Sequence, residues 1–184
     1  MPPPADPRSD AELVAALNAG DVSAFDALYY RHRDWVVRLA GRLAGNDADA
    51  LDVLQETFAY LLRKFPGFRL TCAMTTFLYP VFKHLSLAAR RKRMRLAGDD
   101  AALESAPARD VAGPGSPRAE LAAVLGSLPE THREVLLMRF VDGFALEEIA
   151  DALDIPLGTV KSRIHNALAV LRKDPRVKVY FDPP

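Results

Sequence analysis

Apolar positions along this chain recur three and four residues apart, the spacing of a helix with one buried stripe. Leu13, Val14 and Leu17 fit a short helix that begins near Asp10, with Gly20 as its stop. Ser23 is placed to cap a second helix. There Phe25, Leu28, Tyr29, His32, Trp35, Val36, Leu39 and Leu43 hold one stripe until Gly45-Asn46 breaks it. Asp47 offers a cap to a third helix. Its expected core face is Leu51, Leu54, Phe58, Leu61, Leu62 and Phe65, and Pro66-Gly67 ends it. After a loop, a fourth helix is expected from about Thr75 to Arg95, with Leu78, Val81, Phe82 and Leu85 inward.

The pattern then lapses. Residues 96–119, LAGDDAALESAPARDVAGPGSPRA, are dominated by Ala, Asp, Gly and Pro and read as a flexible linker. A coil of that length has a root-mean-square span of roughly 27 Å and stretches to about 80 Å. Helical spacing returns beyond it. Pro129 starts a helix holding Val135, Leu136, Met138 and Arg139, and Gly143 breaks it. Leu146–Leu153 is a short helix, Asp154-Ile155-Pro156 a tight turn, and Leu157–Arg172 a longer helix. Strand alternation persists nowhere; only Val177–Phe181 hints at an extended tail. The expected architecture is all-α. Two small helical domains, residues 10–95 and 120–173, are joined by the linker 96–119, with a disordered stretch 1–9 and a tail 174–184.

The last helix carries the first hint of chemistry. Val160, Ile164, Leu168 and Leu171 form its apolar stripe. The other side bears Thr159, Ser162, His165, Asn166 and Ala169, flanked by Lys161 and Arg163. Long side chains at the centre of such a face would hold the helix out of a major groove about 12 Å wide. Short polar groups let it enter, and flanking cations reach phosphates or base edges. A short helix, a tight turn and this helix make a helix-turn-helix arrangement. Spacing alone fits equally a solvated helix of a small bundle.

Charge sharpens the picture. The chain has 24 basic and 24 acidic residues. The positive charge is nevertheless concentrated over KHLSLAARRKRMR, residues 83–95, which holds Lys83, Arg90, Arg91, Lys92, Arg93 and Arg95 and no acid. Other chemistry is disfavoured. His32, His84, His132 and His165 are scattered without paired ligand spacing, so no metal is expected. Cys72 is the single cysteine, which excludes an internal disulfide and fits a reduced, cytoplasmic setting. There is no phosphate-cradling glycine loop, and neither a cofactor nor an enzymatic activity is expected. No apolar run reaches the ~20 residues of a membrane span. The opening MPPPADPRSDAE lacks the basic-then-apolar layout of a secretory signal.

The string LPETHREVLLMRFVDGFALEEIADALDIPLGTVKSRIHNALAVLR, from Leu128 to Arg172, resembles the carboxy-terminal DNA-binding region of bacterial RNA polymerase sigma factors, in the compact extracytoplasmic function (ECF) subgroup of the sigma-70 family. LDVLQETFAYLLRKF resembles that family's polymerase-binding helix, and FLYPVFKHLSLAARRKRMR its promoter-melting helix. The resemblance implies a transcription initiation factor. Region 2 would bind core RNA polymerase and read and open the −10 element. Region 4 would read the −35 element of promoter DNA as duplex. An anti-sigma factor is the implied regulator. By the same resemblance, Asp52, Gln55 and Glu56 match the polymerase-binding motif. Phe68 and Arg69 lie in the loop that captures a −10 base, although the residues alone fit a plain connector as well. Lys83, His84, Arg90, Arg91 and Arg93 would face −10 DNA, and Thr159, Lys161, Ser162, Arg163, His165 and Asn166 the −35 element.

The chain departs from the family pattern at several points. Pro80 stands where Arg is common, His84 where Asn is usual, and Ala88 where Asp is usual. A proline inside a helix frees the carbonyl four residues back, so the helix is expected either to kink near Thr76 or to begin later. Ala145 replaces a Ser or Thr cap, and Asp154 a turn glycine; Asp tolerates a left-handed conformation better than most residues. The rival function is a helix-turn-helix regulator that never binds core polymerase. Such a protein has no reason to carry Asp52, Gln55 and Glu56 in this pattern.

Overall fold

The computed structural model describes residues 6–97 and 117–177, all of whose regular elements are helices. The chain divides into two compact units, Met1–Ala106 and Pro107–Pro184.

Unit one holds α1 (Asp10–Asn18), α2 (Ser23–Ala44), α3 (Asp47–Leu62) and α4 (Met74–Ala97). Helices α2, α3 and α4 pack mutually, and α1 lies on α2. Leu13, Leu28, Val36, Leu39, Leu61, Leu78, Tyr79 and Phe82 fill the interior. The Trp35 ring meets Phe82 edge-on at 5.2 Å, a favoured geometry for aromatic pairs. α1 starts in a capping box: Ser9 Oγ accepts the Glu12 N–H, and the Glu12 carboxylate accepts the Ser9 N–H. It is pinned to α2 through Asp10, whose carboxylate lies 2.6 Å from Arg31 Nη1 and 2.9 Å from His32 Nε2. His32 is buried, as its place on the stripe predicts.

Two caps sit one or two residues from their expected places. Asp21, not Ser23, receives the free N–H at the start of α2, accepting from Ser23 N at 3.1 Å. Asn46, not Asp47, caps α3, taking the Asp49 N–H at 2.7 Å. α3 also ends at Leu62, ahead of Pro66-Gly67. Leu51 and Leu62, expected in the core, are 52% and 43% exposed. α4 begins at Met74 and continues through Pro80, so it does not begin late. Pro80 faces outward, and the buried Thr76 Oγ1 one turn before it has no hydrogen-bond partner.

Unit two holds α5 (Pro117–Gly126), α6 (Glu130–Phe140), α7 (Leu146–Leu153) and α8 (Leu157–Lys173). α5 is an addition to the elements expected from sequence, where residues 117–119 fall in the linker. Leu96 and Ala97 likewise belong to α4. The rest of the expected linker, 98–116, lies outside the described residues, as do residues 1–5 and 178–184. Val177 is not extended. It closes a helical turn and is buried with Val124, Leu128, Leu136, Ala167 and Leu171. Asp154 takes φ 52° and ψ 51°, the left-handed turn between α7 and α8. Ala145 supplies no side-chain cap, but its N–H donates to Glu148 Oε2 at 2.7 Å, which keeps half of a capping box.

Candidate nucleic-acid and partner interfaces

Three surfaces carry the residues singled out by sequence. The first is the outer face of α3. Ala50, Val53, Leu54, Thr57, Phe58 and Leu61 are buried, and Thr57 donates its hydroxyl to the Val53 carbonyl at 2.7 Å. At 100° per residue, Asp52, Gln55 and Glu56 point the opposite way, and all three are exposed. The same face carries the exposed Leu51 and Leu62. Two leucines beside an amide and two carboxylates make a mixed apolar and acidic strip, suited to docking against protein. Periodicity did not separate these leucines from the core. They lie at the border of the stripe, and spacing cannot say whether a border position is covered.

The second surface joins the loop after α3 to α4. Phe68 is half-buried, its ring 5.5 Å from Phe65 and 4.8 Å from Phe77. Tyr60 stacks on Phe77 at 6.3 Å, and Lys64 Nζ lies 4.6 Å above the Tyr60 ring. Arg69 is exposed beside this aromatic group. Tyr60 and Phe77 went unnoticed in the sequence because each reads as one more apolar residue of its helix. Along α4, Pro80, His84, Ala88, Arg91 and Arg95 recur at spacings of four, four, three and four. They form one line, of which all but the partly covered Ala88 are exposed. The three departures from the family pattern that lie on α4 therefore share a face with two of the cations. Lys83 and Arg90 are partly covered on its flanks.

Arg93, partly covered, is engaged within the unit. Its guanidinium bonds Asp49 in the first turn of α3 and donates to the Ala44 carbonyl at the end of α2, at 2.6 Å. A cation at a helix C-terminus satisfies an orphan carbonyl and favours the dipole. Arg93, expected among the −10 contacts, thus also ties three helices together.

The third surface is α8. Val160, Ala167 and Leu171 are buried, with Ile164 and Leu168 partly so. Lys161, Ser162, His165 and Asn166 are exposed, and Thr159 and Arg163 are half-covered at the edges. Ser162 Oγ turns back to the Thr159 carbonyl at 3.0 Å, which keeps the centre of the face low. The face is presented by the tight turn at Asp154, and by Arg139, which holds the Phe144 carbonyl at 2.9 Å ahead of α7. Among the described residues, no group of His, Cys, Asp and Glu side chains is arranged to hold a metal. No described helix is long and apolar enough to cross a membrane.

Comparison with known proteins gives these surfaces a context. Residues 28–96 match the family description "Sigma-70 region 2" and residues 124–173 match "Sigma-70, region 4". The chain is 32% identical to the ECF RNA polymerase sigma factor SigE of Mycolicibacterium smegmatis, over 92% of this chain and 68% of that one. It is also 32% identical to the ECF RNA polymerase sigma-E factor of Escherichia coli, over 86% and 90% of the two chains. Its fold is similar to that of CnrH, solved in complex with the cytosolic domain of CnrY, with a TM-score of 0.63 and 23% identity over 94% of this chain and 97% of that one. A second likeness is RpoE of Bartonella quintana, solved with the anti-sigma factor NepR, with a TM-score of 0.62 and 22% identity over 86% and 99%. The chain belongs to the sigma-70 family, in its ECF group, and is a transcription initiation factor.

Proposed function

We propose that unit one binds core RNA polymerase through the outer face of α3 and reads the −10 element through the loop after α3 and the exposed line of α4. Unit two reads the −35 element through α8. Asp52, Gln55 and Glu56 carry polymerase binding, with Leu51 and Leu62 adding apolar contact. Phe68 and Arg69 take an unpaired base, while Lys83, His84, Arg90 and Arg91 hold the backbone nearby. Thr159, Lys161, Ser162, Arg163, His165 and Asn166 meet duplex DNA. The two domains fall within the units Met1–Ala106 and Pro107–Pro184. The protein acts in the cytoplasm and catalyses nothing itself; polymerase makes the RNA. An anti-sigma factor is a further partner, consistent with the complex of the Bartonella protein.

The observation that carries this reading is the exposed strip on α3. A regulator acting through its helix-turn-helix alone gains nothing from leaving Leu51 and Leu62 uncovered beside Asp52, Gln55 and Glu56. The test is co-elution of the purified protein with core polymerase, beside a Gln55→Ala/Glu56→Arg double variant. Wild type is expected to bind and the variant to fail. Failure of both, with duplex DNA still shifted, returns the chain to the regulator class.

A further inference from the structure

α1 lies outside the residues that match region 2, which begin at 28. It nevertheless touches the loop that follows α3. Asn18, its last residue, uses both halves of its side-chain amide there. Gly67 N–H donates to Asn18 Oδ1 at 2.7 Å, and Asn18 Nδ2 donates to the Phe68 carbonyl at 2.7 Å. A donor and an acceptor on adjacent loop residues are thus held by one planar group, as a neighbouring strand would hold them. Gly67 has φ +96°, a conformation that costs little in glycine and that nothing in its own side chain can fix. Fixing it falls to its partners.

The support under Asn18 is firm. Leu13 and Val14 are buried. Asp10 is bound by Arg31 and His32, and Arg8, ahead of α1, reaches Asp21, beyond its end, at 2.9 Å. The path runs from α2 through α1 to Asn18, then to the backbone of residues 67–68. Beyond it stand the half-buried Phe68 ring and the exposed Arg69. We infer that Asn18 is a positioning residue for −10 reading, its amide setting the backbone from which Phe68 and Arg69 address an unpaired base. This rests on the assignment of that loop to −10 reading. The aim of a stacking ring depends on the two peptide units before it, so a loose loop meets all bases with similar affinity.

The experiment uses holoenzyme assembled with core polymerase and single-stranded oligonucleotides carrying each of the four bases at each −10 position. Wild type, Asn18→Ala, Asn18→Asp and Phe68→Ala/Arg69→Ala are compared. Asn18→Asp keeps the acceptor for Gly67 and loses the donor to Phe68. The ratio of affinities between preferred and disfavoured base is expected to fall about five- to tenfold in Asn18→Ala. An intermediate ratio is expected in Asn18→Asp, with core binding and duplex −35 binding unchanged in both. Equal weakening toward all four bases would mark Asn18 as merely structural and overturn the inference. An unchanged ratio in Asn18→Ala, with the ratio lost in Phe68→Ala/Arg69→Ala, would overturn it alone. An unchanged ratio in the Phe68→Ala/Arg69→Ala variant would overturn the loop assignment, and this inference with it. Should Asn18→Ala fail to fold, Asn18→Asp decides in its place: a lowered ratio supports the inference and an unchanged one overturns it.

Discussion

Asp10 shows how one side chain fixes an element that propensity would leave loose. Isolated helices as short as α1 are marginal in water. Partial burial pushes the Asp10 carboxyl up, but hydrogen bonds and charge from His32 and then Arg31 outweigh it and hold it below its ordinary 3.8. A folded-state value lowered in this way stabilises the protein above the unfolded value, and the stabilisation is lost as pH falls through the folded one. Asp10→Asn is expected to lower the unfolding free energy of unit one by about 1–2 kcal/mol at pH 7. The gap to wild type should close in acid, once pH has fallen through the lowered folded value and both side chains are neutral. Urea melts at neutral and acid pH check it; a gap that persists in acid would assign the effect to packing. Sequence spacing revealed that His32 faces inward. That it would find Asp10 there was not legible, because the pairing joins positions 22 residues apart on different helices.

At the scale of elements, α4 and α3 divide what a charge run and an apolar stripe leave fused. Six cations within residues 83–95 read alike in sequence. The fold turns Arg93 inward to Asp49 and Ala44 and leaves Arg91 on the outer line. Arg93→Ala is expected to destabilise unit one by about 1–3 kcal/mol, because the Ala44 carbonyl and the Asp49 carboxylate each lose a donor. Arg91→Ala should leave stability within about 0.5 kcal/mol. It should also reduce the salt dependence of promoter binding by about one unit of slope, the signature of a lost phosphate contact. Thermal melts and salt titrations of the two variants separate these outcomes; the reverse pattern would put Arg93 on DNA after all. On α3 the analogous test is Leu51→Ser. It should leave folding intact and weaken co-elution with core polymerase, whereas a leucine in the core would cost several kcal/mol. α8 was the most legible element. Two of its four stripe residues, Val160 and Leu171, are buried, and its low polar face and the left-handed turn before it follow from local rules; Ala167, buried beside them, was not part of the expected stripe. α5 was the least legible, since its Ala-rich sequence carries few large apolar residues; among its residues of described burial, Val124 is fully buried and Leu125 packs partly covered beside it.

For the whole molecule, the division into two units means that stability is held in two separate cores. One cluster of the core of unit two draws on α5 and on the turn after α8. Val124 from α5 and Val177 from the turn after α8 meet Leu128, Leu136, Ala167 and Leu171. Asp174 holds that turn by accepting the Arg176 N–H at 3.0 Å and bonding its guanidinium. Val177, at 2% exposure, is therefore part of the DNA-reading unit rather than of a tail. Truncating it to alanine removes two methyl groups from a filled site and is expected to cost about 1–2 kcal/mol. Calorimetry should register this as a lower melting temperature for one transition only. That transition is the one whose loss abolishes duplex −35 binding, while core polymerase binding at a temperature just above it survives. Arg93→Ala should shift the other transition and spare duplex binding. A single transition displaced equally by both variants would mean that the two cores melt as one, and that reading of −10 and −35 cannot be lost separately by heating.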